Sequence, residues 1–173
     1  MSTKFFNNKL GNTLFDKLKG IASEMTTFDR FLAVVGFFRS SGYFKLRKEL
    51  GDISEIKILV GINIDDIFRK HNKALLMFAN EEKAKELYQK DFKEDIVNAQ
   101  YSHEVEEGIL QMCDDLASGR LQMRIDAQNS LHAKFYLCLP QNHSEHSDGW
   151  VIMGSSNISD SGLGIKQPPQ YEL

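Results

Sequence analysis

Two short, unbroken apolar runs constrain the fold more than anything else in the chain. Residues 31–38 read FLAVVGFF and residues 55–61 read EIKILVG. Runs of this length are expected of strands buried on both faces. Between them Ser40, Ser41 and Gly42 break the pattern, and a hydroxyl there is placed to cap a helix over residues 43–50. Ahead of the first run, Leu10, Leu14, Leu18, Ile21 and Met25 recur at three- and four-residue spacing, which predicts an amphipathic helix. Residues 65–95, rich in Lys, Glu, Ala and Leu, also read as mostly helical. Val105, Ile109, Met112, Cys113 and Leu116 form one face of a further helix, closed by Gly119.

The period then changes from helical to alternating. Leu121, Met123 and Ile125 alternate with polar partners, residues 131–139 (LHAKFYLCL) alternate again, and residues 149–153 (GWVIM) form another apolar run. Strand, helix, strand and helix followed by a group of strands predict an α/β domain. Its mixed central β-sheet is flanked by helices. At 173 residues and 42% hydrophobic content, one core and a single domain over 1–173 are expected.

Charge narrows the partners. The net charge is −3, so no global basic field draws nucleic acid or an anionic membrane, and any such role must rest on local chemistry. Cys113 and Cys138 are too few for a disulfide framework and sit in apolar patterns, which favours a reducing cytoplasm. There is no signal-peptide core in the first twenty residues and no membrane-length apolar segment. His143 and His146 lie in a polar loop without cysteine partners, and His71 and His103 have no ligand context. No metal and no cofactor are expected.

The chemistry lies in two segments. On a strand over 131–139, His132, Lys134 and Tyr136 project from one face, while Leu131, Ala133, Phe135, Leu137 and Leu139 bury the other. Lysine is rarely buried without a partner, so the His-x-Lys face is expected to open on a cleft or an edge. The next apolar run ends in Gly154-Ser155-Ser156-Asn157, a turn that presents a hydroxyl and a carboxamide. If the two strands are neighbours, imidazole, ammonium, hydroxyl and amide converge on one point. That set suits a phosphate, with a nitrogen nucleophile for phosphorus and donors for its oxygens.

His132-x-Lys134 followed by Gly154-Ser155-x-Asn157 resembles the HKD motif of the phospholipase D superfamily. The flavour of LHAKFYLC, VIMGSSNIS and SGLG is similar to its nuclease-like branch. That branch occurs in metal-independent restriction endonucleases and at the N-termini of some bacterial superfamily-2 helicases. The resemblance covers about the last quarter of the chain; the front half agrees in strand–helix order and in GFFRSSGYF. It implies a phospholipase D-like fold and a metal-free phosphodiesterase that works through a phosphohistidine. It assigns His132, Lys134 and Asn157 to catalysis, with Lys134, Ser155 and Asn157 holding phosphate. The family's aspartate falls five residues after the lysine, where this chain has Leu139. The nuclease-like branch commonly lacks it and supports the histidine with a downstream glutamate, a role that falls here to Glu172. The chain ends one residue later, and the family's habits predict the N-terminal part of a longer protein carrying a helicase domain.

Two functions follow from different classes. One is a nuclease for a helicase or restriction system, with DNA ahead of RNA as substrate. It would act as a homodimer that places two His132 on opposite sides of one phosphorus at the two-fold axis. The other is a docking module that binds nucleic acid with weak or absent chemistry, favoured by Leu139 and the mildly acidic charge. In either case Arg39, Ser40 and Ser41, just after the first buried strand, are candidates for nucleic-acid contact, within a basic stretch that includes Lys45, Arg47 and Lys48. Trp150 reads as core at a strand start. Phospholipid cleavage is disfavoured because no basic amphipathic helix is evident.

Overall fold

Thr13 opens the first helix by accepting a bond from the Asp16 amide, while Asp16 reaches back to the Thr13 amide, a reciprocal capping box. The helix, α1, spans Leu14–Glu24 and buries Leu14, Leu18 and Ile21. Leu10, assigned to the same stripe by spacing, lies outside it and is exposed. The computed structural model describes residues 5–7, 9–63, 103–126 and 131–165, and the side chains of 62 and 63 are outside that description. The helical reading of residues 65–95 therefore falls outside the described residues, as do His71 and Glu172.

The two apolar runs are strands, β1 (Phe28–Phe37) and β2 (Glu55–Asn63), joined by α2 (Ser40–Leu50). After the interval come α3 (His103–Ala117), β3 (Leu121–Ile125), β4 (Phe135–Pro140), β5 (Trp150–Met153) and the single-turn α4 (Asp160–Leu163). The sheet order is β3-β2-β1-β4-β5. β1, β2 and β3 run parallel, and β4 and β5 are antiparallel additions beside β1. The mixed sheet is as the sequence predicts. β3, however, lies at the opposite edge from β4 and β5, because a parallel strand entering after α3 continues outward past β2.

Burial alternates along β1 and β2 instead of being uniform. Phe31, Ala33 and Val35 with Ile56, Ile58 and Val60 are buried, and they join Leu14, Leu18, Tyr43, Leu46, Ile109 and Met112 in one core. Each large apolar side chain so buried is worth roughly 1.5–3 kcal/mol. The intervening Leu32, Val34 and Leu59 are half-buried.

α2 begins earlier than its spacing suggests. Its N-cap is Arg39, with no side-chain capping bond, and Ser40 is wholly buried inside the first turn. The expected serine cap is therefore not the N-cap: Ser40 stands one position inside the helix. α3 stops where expected, at Gly119, whose φ of 78° is costly for other residues. Trp150 is not core: it is 46% exposed on the edge strand, beside exposed Val151 and Met153. Among the described residues, no helix is long and apolar enough to cross a membrane.

Candidate active site

The carboxyl ends of β1 and β2, the start of β4 and the end of β5 all lie at one edge of the sheet. The chain steps outward from β1 through β2 to β3, then returns to the other side of β1 with β4. The strand order thus reverses at β1, between β2 and β4, and open α/β sheets bind ligands in a crevice beyond the carboxyl ends of strands at such a reversal.

Residues 131–134 are not part of β4, which begins at Phe135. They form an irregular approach to it, made possible by glycine. A Cβ on Gly61 would lie 1.8 Å from the Leu131 carbonyl oxygen, so the segment crosses the end of β2 through space that a side chain would fill. Burial alternates in the sense opposite to the sequence reading. Lys134, Tyr136 and Cys138 are buried, whereas Leu131, Phe135, Leu137 and Leu139 are half-buried and Ala133 is exposed. The reason is that residues 135–139 are apolar at both parities. Tyr136 stacks on Phe31 and donates its hydroxyl to the Ser156 carbonyl at 2.7 Å, which suits the covered face. Burial pushes the Cys138 thiol up to about 12, keeping it an inert packing group.

Lys134 is therefore a lysine with 8% of its surface exposed. Its ammonium donates to the His132 carbonyl oxygen at 2.8 Å, and no carboxylate among the described residues pairs with it. His132 is exposed, and its ring has no protein hydrogen-bond partner among the described residues.

The Gly-Ser-Ser-Asn turn is anchored onto the end of β1. Asn157 Oδ1 accepts from the amides of Gly36 and Phe37, each at 3.0 Å. Ile158 forms a parallel bridge with Phe38, and the Arg39 amide donates to the Ile158 carbonyl at 2.8 Å. These bonds fix the orientation of the Asn157 carboxamide: its oxygen is committed to the backbone, so Nδ2 is the end left for a ligand. The packing is close enough to need glycine elsewhere too. A Cβ on Gly42 would come within 2.7 Å of the Ser159 backbone. Ser159 caps α4 by accepting from the Gly162 amide at 3.1 Å. Ser155 is exposed at the turn.

The groups converge at Gly36. A Cβ built there would stand 3.4 Å from His132 Nδ1, 3.4 Å from Lys134 Nζ and 3.5 Å from Asn157 Oδ1. The structure thus brings together His132, Lys134 and Asn157. It also supplies a member that sequence reasoning missed. The available signal was a glycine inside an otherwise bulky strand, a mark of close approach.

The basic stretch after β1 divides. Arg39 is half-buried, with Nη1 on the Phe38 carbonyl at 3.0 Å, and Ser41 is exposed. The burial of Ser40 leaves Arg39 and Ser41 as the solvent-facing members of that trio. Lys45 pairs with Asp160 at 3.1 Å and Lys48 with Glu104 at 3.6 Å. Arg47 is not on a solvated face. It is buried, with Nε 2.7 Å from Asp115 Oδ2.

His103 pairs with Glu107 on an exposed helix face, and His143 and His146 sit in the exposed loop. Among the described residues, no group of three or more His, Cys, Asp or Glu gathers as metal ligands. Set against known protein families and curated proteins, the chain matches none of them.

Proposed function

We propose that this chain is a phosphodiesterase of the phospholipase D superfamily, acting on nucleic acid without metal through a phosphohistidine. The observation that carries the reading is Lys134. A buried ammonium without a carboxylate partner among the described residues, beside an imidazole and an oriented carboxamide, is suited to an anion as its counter-charge.

In the first step a ring nitrogen of His132 bonds to phosphorus while the bond from phosphorus to the leaving oxygen breaks. A protonated second histidine gives its proton to that oxygen. In the second step water bonds to phosphorus and yields its proton to the second histidine, and the phosphorus–nitrogen bond breaks to restore His132. Lys134, Asn157 Nδ2 and Ser155 hold the non-bridging oxygens, and Glu172 supports the imidazole. Arg39 and Ser41, beside the same sheet edge, would meet the nucleic-acid backbone. DNA is the first substrate to try, and a helicase domain or restriction system the expected setting.

The second reading, a docking module with weak or absent chemistry, is favoured by Leu139. It stands apolar and half-buried at the position where the family has aspartate.

The test is cleavage of plasmid and oligonucleotide DNA by chelator-treated protein, wild type against His132→Ala. Cleavage that persists in chelator and disappears in the variant supports the enzyme. Cleavage that returns only with Mg²⁺ or Mn²⁺, or that survives in the variant, overturns the mechanism. DNA binding without cleavage by either protein selects the docking module.

A further inference from the structure

Gly36 is not in the left-handed region that demands glycine, and its position in β1 would ordinarily favour a β-branched residue. Yet the space where its side chain would stand is bounded by the polar atoms of three site residues, all at ordinary van der Waals distance. A methyl group therefore fits there without displacing His132, Lys134 or Asn157. What it displaces is the ligand. An anionic oxygen bonded to Lys134 Nζ lies about 2.7–2.9 Å from it, with its phosphorus facing His132 Nδ1. A methyl carbon 3.4 Å from both Nζ and Nδ1 stands on the Gly36 side of the pair, and it overlaps a phosphate that enters from that side.

Resting on the phosphodiesterase reading, we infer that Gly36 is the floor of the phosphate pocket. Its missing side chain is a binding determinant, keeping open the volume through which a phosphate meets the lysine and the histidine from the Gly36 side. Gly61 offers the contrast. A Cβ there would strike the Leu131 carbonyl at 1.8 Å, so it is required by the path of the backbone and not by a ligand.

The test uses the whole chain, with inorganic phosphate as the probe in titration calorimetry and DNA as the substrate. Gly36→Ala is expected to keep its circular dichroism and its melting temperature. It should lose phosphate affinity by on the order of tenfold or more, with cleavage falling alongside. Gly61→Ala is expected to lower the melting temperature. If wild type and Gly36→Ala bind phosphate equally, the inference is overturned while the phosphodiesterase reading stands. A wild type that binds no phosphate overturns both. A Gly36→Ala protein that fails to fold also overturns the inference, because the methyl was to fit without movement.

Discussion

At the scale of the residue, burial of Lys134 gives Asn157 a second use as a probe. Asn157 Oδ1 already accepts from two backbone amides, and an aspartate oxygen can do the same. Asn157→Asp therefore keeps the anchor of the turn, removes the Nδ2 donors and adds a negative charge close to Lys134. The variant is expected to be as stable as wild type or more so, because the buried ammonium gains a counter-charge. It should lose roughly 10²–10³ in cleavage rate, as when a positioned donor is removed. Equal melting temperature with undiminished cleavage would remove Asn157 from the site. The three polar members were legible in the sequence because His-x-Lys and Gly-Ser-x-Asn are short, local patterns. The face of Lys134 was not. From Phe135 to Leu139 the side chains are aliphatic, aromatic or a thiol, so His132 and Lys134 set the parity, and a lysine argues for exposure unless a ligand is considered. Gly36 was hidden for a related reason: within FLAVVGFF it reads as packing.

At the scale of the element, α2 and α3 are joined by a charge cluster that no local pattern announces. Asp115 on α3 is wholly buried and accepts from the Tyr43 hydroxyl at 2.8 Å and from Arg47 Nε at 2.7 Å, both on α2. Gln111 and Arg120 add bonds at 3.1 Å each. Burial opposes ionisation of Asp115, but the bonds from Arg47 and Tyr43 outweigh it and hold the carboxyl below the usual range. The same helices pass so closely at Gly108 that a Cβ would meet the Phe44 ring. Asp115→Asn removes the counter-charge of a buried guanidinium and is expected to cost about 3–5 kcal/mol in a denaturant titration. The pH dependence follows from the direction of the shift. With the folded value depressed, stability from Asp115 is complete above the unfolded carboxyl value, ~3.9. It drains away as pH falls through the lower folded value. Asp115→Asn should show a shallower acid limb, and an unchanged limb would assign acid sensitivity to other carboxylates. The helices themselves were legible from their apolar spacing. Arg47 and Asp115 were not, since each looks like an ordinary charge on a helix until the partner helix is placed beside it.

At the scale of the whole molecule, the proposed chemistry needs more than one chain. A nucleophile and an acid must stand on opposite sides of phosphorus, yet of the two His-x-Lys patterns in the sequence, His71-x-Lys73 and His132-x-Lys134, only the second is followed by a Gly-Ser-x-Asn turn. A two-fold axis through the crevice brings His132 of one subunit opposite its copy, with both lysines and both asparagines around one phosphate. The rim of the site suits such an arrangement. Met153, 75% exposed, immediately precedes the Gly-Ser-Ser-Asn turn, and Val151, 60% exposed, lies on the same edge strand. A second subunit would cover apolar surface that an edge strand otherwise leaves to water. A dimer is expected at micromolar concentration by sedimentation, with a total interface of roughly 1,200–2,000 Å². Phosphate should tighten it, because two converging ammonium groups repel until an anion lies between them. Subunit mixing then separates a shared site from two independent ones. When wild type and His132→Ala are mixed equally and allowed to exchange, about a quarter of the dimers carry two intact histidines. Activity from a shared site falls to that fraction of an all-wild-type sample at equal total protein, whereas independent sites leave about half. A chain that stays monomeric with phosphate present, or a mixture that keeps half its activity, would overturn the shared site and turn the interpretation toward a docking module or a single-histidine reaction.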